Sequence, residues 1–195
     1  MRTNESNQYL QEIYNRYSSI FRVKLLSFLL LLSSFSVFAE VRLPKLISDG
    51  MVLQRDTPLK IWGWANAGEK VTLNFNNQFF ETNTSAEGKW TITLPPQKAG
   101  GPFILEISGE NLITLKNILF GDVWLCSGQS NMETPMSRVA PLYENEIATS
   151  ANSGIRLFQV PVRWNFRHPQ NDIQGGKWEE ANPQNILKYT AVGYF

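Results

Sequence analysis

The chain has 195 residues, 43% of them hydrophobic and 18% charged, with a net charge of +1. That length holds one or two domains, the apolar fraction is ample for a packed core, and the near-neutral balance excludes nucleic acid or an anionic membrane as the main partner, because both demand a basic excess. With a single cysteine, Cys126, and a single histidine, His168, no disulfide forms within the chain, and a zinc site of the usual Cys/His type is not expected.

The first element is residues 25–38, an apolar run broken only by serines. Arg22 and Lys24 precede it, and Val37-Phe38-Ala39 supplies the small-residue pattern of a cleavage point after Ala39. It reads as an export signal, because a membrane-spanning helix needs about 20 apolar residues. The product is then exported, periplasmic or secreted, with no stable membrane anchor after cleavage. The polar stretch of residues 1–21 ahead of it points to a start codon near Val23; the alternative is a genuine tail before an uncleaved anchor.

Residues 40–117 read as an antiparallel β-sandwich. Apolar residues alternate at Leu59 and Ile61, at Val71, Leu73 and Phe75, at Trp90, Ile92 and Leu94, and at Phe103, Leu105 and Ile107; Ile113 and Leu115 mark one more strand. Asn76-Asn77 supports a tight reversal, and Gly100-Gly101-Pro102 reads as a chain break. Trp62, Trp64 and Trp90 fit either a sugar-stacking surface or the filling of a small core, and core filling is the expectation.

The pattern changes at Ile118. The run Ile118 to Cys126 is apolar without alternation and reads as a strand buried on both faces, as in a parallel sheet. It ends in Ser127-Gly128-Gln129-Ser130-Asn131-Met132. A buried strand, a turn of small residues around a serine and then a helix start would hold a hydroxyl at the carboxyl edge of an α/β sheet, with backbone N–H groups facing a developing oxyanion. This is not the Gly-x-Ser-x-Gly elbow, since Met132 stands where the second glycine would be. By composition alone, serine-glycine turns are usually plain loops.

Three strings change that weighting: Met51-Val52-Leu53-Gln54-Arg55 within residues 43–55, Ile61-Trp62-Gly63-Trp64-Ala65, and Gly121 to Met132 with its Gly-Gln-Ser-Asn-Met core. In order and approximate separation they resemble the sialate O-acetylesterase family, and residues 189–195 are similar to an early helix of that family's catalytic domain. The resemblance implies a serine esterase of the SGNH type with an α/β/α fold that needs no metal or organic cofactor, Ser130 as nucleophile and its backbone N–H as an oxyanion donor, Gln129 and Asn131 on the substrate side, and an O-acetylated sugar or glycan as partner. The family's base is a histidine in an Asp-x-x-His motif, which is absent here, so the chain reads as an amino-terminal fragment whose catalytic part is inactive alone.

Rival residues read less well. His168 precedes a proline in a polar stretch and has Asn165 where the motif's aspartate would stand. Asn171-Asp172 lacks the glycine of the Gly-x-Asn-Asp block. Cys126 reads as a packed, inert thiol with no basic neighbour, and Ser127 lacks the family position. Glu144 and Glu146 lie two apart and do not share a helix face, so with Glu133 they make no glycosidase carboxylate pair; they belong to a short helix over residues 142–149. Residues 155–160 read as the next strand. The expected class is α+β overall: residues 1–39 tail and signal, 40–117 β-sandwich, and 118–195 the truncated start of an SGNH-type domain. Two alternatives stay open: a non-catalytic remnant whose sandwich binds glycan or merely packs, and an esterase of acetylxylan type. The oligomeric state is left open.

Overall fold

The computed structural model describes residues 40–195, so the export-signal reading lies outside the described residues. Among those described, no helix is long and apolar enough to cross a membrane.

The alternating sequence produces the strands in order: β1 (Val52–Gln54), β2 (Leu59–Trp64), β3 (Lys70–Phe75), β4 (Gln78–Asn83), β5 (Lys89–Leu94), β6 (Gly100–Ser108) and β7 (Leu112–Gly121). One sheet has the order β1-β7-β6-β3-β4, and β2 pairs with β5 in a second. The inward faces of both sheets meet in one cluster that includes Ile61, Val71, Leu73, Trp90, Leu94, Leu105, Ile107 and Ile118. Phe75, Phe103 and Phe120 close one region of this core with tilted and edge-on ring contacts at 5.4–5.6 Å, the geometry that aromatic quadrupoles favour. Asn76 and Asn77 both take positive φ, 51° and 60°, so β3 and β4 are joined by the two-residue turn that matches strand twist.

Four expectations are corrected. The large sheet is mixed, because β1 runs parallel to β7 with Val52 opposite Leu119 and Gln54 opposite Gly121; β1 thereby covers an edge of β7 that would otherwise stand open. Gly100-Gly101-Pro102 opens β6 rather than breaking the chain, and the register shifts between Gly100 and Phe103 absorb a proline that cannot donate to the ladder. Of the three tryptophans, only Trp90 fills the core, at 2% exposure, while Trp62 and Trp64 stand on the outer face of β2. Their inward alternates are Ile61 and Gly63, and an ideal Cβ at Gly63 would meet Arg42 O at 2.2 Å and the Trp90 ring at 2.9 Å; only glycine lets Trp90 lie so close.

The fourth correction concerns the run from Ile118 to Cys126. Its first four residues finish β7, but the chain then leaves the sheet, and Trp124 and Leu125 are 84% and 91% exposed. No described strand flanks residues 122–128, and Cys126 is exposed rather than packed in a strand.

Residues 130–195 carry α1 (Ser130–Glu133), α2 (Met136–Val139), a 3-10 turn (Ala140–Leu142), α3 (Glu144–Ala148), β8 (Asn152–Phe158), β9 (Trp178–Ala181), a second 3-10 turn (Ile186–Lys188) and α4 (Ala191–Tyr194). β8 and β9 pair antiparallel. A second, smaller core forms from Met136, Ala181, Ile186 and Ala191. It is tied to the first region by specific bonds. The nearly buried Arg156 side chain pairs with Glu180 and donates to Asn117 Oδ1 at 3.0 Å. Trp178 Nε1 donates to Leu46 O at 2.8 Å, and its ring packs on the first core. The described chain is therefore mixed and strand-rich, with few and short helices.

Candidate active site

The site begins where β7 ends. Arg55, the residue after β1, grips Asp122 through Nε (2.9 Å) and Nη2 (3.2 Å), and Gln54 Oε1 accepts from Val123 N at 2.9 Å. Because β1 and β7 are parallel, Gln54-Arg55 and Asp122-Val123 emerge at the same end of the sheet. The paired fork geometry of guanidinium and carboxylate fixes the direction in which the chain departs. The Arg55 hydrogen bond holds the Asp122 carboxyl below the usual range. Asp56 is lowered as well, chiefly by its hydrogen bond from Lys98.

Eight residues after Asp122 the chain reaches Ser130, the first residue of α1, with Gln129 extended before it at φ −108° and ψ −155°. The first N–H groups of a helix have no partner within it. Ser130 and its neighbours Gln129 and Asn131 are exposed, and the Ser130 hydroxyl has no hydrogen-bond partner among the described residues. Met132 N donates to Gln129 O at 2.8 Å, and Thr134 Oγ1 donates to Ser130 O at 3.2 Å. These bonds close the turn around the serine.

The turn is strapped from behind by residues 189–193. Met136 N donates to Tyr189 O at 2.8 Å, Ala191 N donates to Thr134 O at 3.0 Å, and Pro135 bridges Thr190. Met136 is fully buried at the far end of the strap. Cys126 lies against Gly193, where an ideal Cβ would come within 3.0 Å of its sulfur.

The strap is anchored in turn by Glu179. Tyr189 Oη donates to Glu179 Oε2 at 2.8 Å, Lys177 pairs with Glu179 at 3.1 Å, and Lys188 pairs with it too. Burial pushes the Glu179 carboxyl up, but hydrogen bonds from Lys188, Tyr189 and Lys177 outweigh it and hold the group at about 2. Burial, and then the bond to Glu179, push the Tyr189 hydroxyl above its ordinary value.

The rivals stand apart. His168 lies on an exposed loop, where its Nδ1 is 3.2 Å from Gln170 Nε2; it does not hydrogen-bond Ser130. Asp172 accepts from Lys45 N and Ile173 N, a loop-fastening role. Among the described residues, Glu133, Glu144 and Glu146 form no ion pair with a lysine, arginine or histidine. Arg55, Asp122, Tyr189 and Glu179, which hold the site, carry no local signal of their pairing. The partners of the first pair are 67 residues apart.

With this geometry in view, the comparisons define first a class. The chain is similar in structure to a carbohydrate acetylesterase from Xanthomonas citri, with a TM-score of 0.75 and 37% identity over 79% of this chain and 35% of that one. Among curated proteins it is 33% identical to the sialate O-acetylesterase of Rattus norvegicus over 135 residues, 62% of this chain and 24% of the relative. It is 32% identical to that of Homo sapiens over 169 residues, 79% of this chain and 31% of the relative. The resemblance to the sialate O-acetylesterase family therefore holds over the matched residues. The chain spans about a quarter to a third of the length of these curated relatives. No family model matches it.

Proposed function

We propose that this chain is the nucleophile-bearing part of an exported serine esterase that removes acetyl groups from sugar hydroxyls. The observation that carries the reading is Ser130, exposed at the first position of α1 within Gly-Gln-Ser-Asn-Met, in a chain similar to acetylesterases. A base takes the Ser130 proton as Oγ attacks the acetyl carbonyl. The Ser130 N–H donates to the resulting oxyanion. The intermediate then expels the sugar oxygen, which takes the proton back from the base, and water hydrolyses the acetyl-enzyme. Gln129 and Asn131, on either side of the serine, orient the sugar. No metal or organic cofactor enters these steps.

Residues 40–117 act as a sandwich support, and residues 118–195 supply the serine edge of an SGNH-type sheet. The exposed Val123, Trp124 and Leu125 are then faces awaiting flanking strands. His168 is engaged with Gln170 and is not the base; a histidine outside this sequence takes that role, and the 195-residue chain alone does not turn over.

The test has two arms. In a longer enzyme carrying this sequence together with an Asp-x-x-His base, Ser130→Ala removes about a million-fold of acetyl-ester turnover, while Ser127→Ala and Cys126→Ala keep most of it. The chain alone matches its own Ser130→Ala control. Substantial turnover by the Ser130→Ala enzyme refutes the nucleophile, and turnover of the isolated chain that depends on both Ser130 and His168 refutes the missing base. Export is checked separately by N-terminal sequencing of the secreted product, which begins near Glu40.

A further inference from the structure

The outer face of the β2–β5 pair gathers two tryptophans and three cations. Its register places Trp64 opposite Lys89, Trp62 opposite Thr91 and Lys60 opposite Thr93. On the other side of β2, Arg42 bridges Trp64 through two backbone hydrogen bonds of 2.8 and 2.9 Å. The alternates Ile61, Gly63, Trp90 and Ile92 are buried, so these residues all face outward. Arg42, Trp64 and Lys89 thus form one row across three segments of chain, with Trp62 and Lys60 in the rows beside it.

The two indoles meet at 5.2 Å with their planes 75° apart, which makes a corner with a floor and a wall. The Arg42 guanidinium lies 5.9 Å from the Trp64 ring centre. Among the described residues neither indole N–H has a protein partner, and none of Arg42, Lys60 and Lys89 is in an ion pair. Glu87 stands in the turn that leads into β5, where Lys89 helps to lower its carboxyl after the larger effects of Ser85 and its own backbone.

We propose that this face binds a carboxylate-bearing saccharide. Charge complementarity chooses the occupant. Indole faces suit the C–H side of a pyranose, and the free indole N–H groups and the Thr91 hydroxyl suit its hydroxyls, which any sugar offers. The three unpaired cations around the corner are idle against a neutral glycan and are satisfied by a sugar acid. The site is distinct from Ser130 and shares no residue with it, so it retains or orients an acidic glycan without taking part in acyl transfer.

The test uses the full 195-residue chain in calorimetric titration against oligogalacturonate, which carries a carboxylate on each ring, with maltohexaose as the neutral sugar and poly-glutamate as the non-sugar polyanion. Oligogalacturonate binds saturably with a Kd on the order of 0.1–1 mM. Maltohexaose binds about tenfold more weakly, poly-glutamate fails to saturate, and Trp62→Ala and Trp64→Ala each weaken oligogalacturonate about tenfold. Lys60→Glu, at a solvated position that leaves the core untouched, weakens it several-fold and carries the test if a tryptophan variant does not fold. Ser130→Ala leaves binding unchanged, which separates this site from the esterase reading. Absence of oligogalacturonate binding, equal binding of poly-glutamate, or parent-like binding by folded Trp62→Ala and Lys60→Glu proteins overturns the proposal.

Discussion

Met136→Ala probes whether the serine turn is held by the small second core or by the large first one. Met136 is fully exclude from solvent, and its backbone N–H is bonded to Tyr189 O. The substitution removes the side-chain atoms beyond Cβ. At about 0.8 kcal/mol per buried methylene-sized group, the transfer loss is about 2.5 kcal/mol, and the cavity left behind raises the total toward the 2–5 kcal/mol range seen for such truncations. The second cluster has four buried members against fifteen in the first, so its local stability is the smaller and the loss falls there. Amide exchange reads this directly. In the wild type, exchange is slower at Leu73, Ile107 and Ile118 than after residue 122. In Met136→Ala, the amides of Met136 and Ala191, which close the strap, exchange roughly 50- to 100-fold faster, the first cluster being unchanged. Equal acceleration in both clusters would show one cooperative unit and would refute the reasoning. No acceleration at Ala191 would show that the strap does not depend on Met136.

Glu179 gives a pH signature. Its carboxyl is lowered in the folded chain, so its contribution is whole above the ordinary glutamate value of 4.5 and is lost as pH falls toward about 2. Because Lys177 and Lys188 are themselves well exposed, solvent screening limits that contribution to about 1–2 kcal/mol; Glu179→Gln flattens the pH dependence of strap protection between pH 5 and 2, on the order of that window, and an unchanged profile contradicts the anchor. Gly63→Ala drives a Cβ into Arg42 O and the Trp90 ring, and it lowers stability of the first unit by about 3 kcal/mol or more in denaturant titration; a neutral result would mean that the Arg42 bridge shifts freely.

The strands were legible where burial follows a period of two. Val71-Leu73-Phe75 and Trp90-Ile92-Leu94 face the core as their alternation demands. The same logic misled at Val123-Trp124-Leu125, because an apolar run reports that cover is needed and not whether the cover lies in the described chain. It also favoured core filling over an aromatic surface for the tryptophans as a group, since bulk alone does not tell the two apart; the smallness of Gly63, squeezed by Trp90, was the local clue to the true face. Ser130 was visible through the string around it. Its supports were not, because the Arg55–Asp122 and Met136–Tyr189 contacts join residues more than fifty apart, and such pairing leaves no mark in either neighbourhood.

The parallel seam between β1 and β7 sets an order of events during synthesis. β1 is complete at Gln54, yet its partner residues, Leu119 to Gly121, and the carboxylate that Arg55 grips at Asp122 are made last in this unit. The β3–β4 reversal and the β2–β5 pair have shorter loops to close and form earlier. A nascent chain therefore carries an unpaired β1, with Arg55 free, until nearly seventy further residues have emerged. Only then is the exit toward Ser130 aimed. A pause or a cut before Leu112 leaves a sheet lacking its last strand, whereas release just after Asp122 yields a finished support without the serine turn.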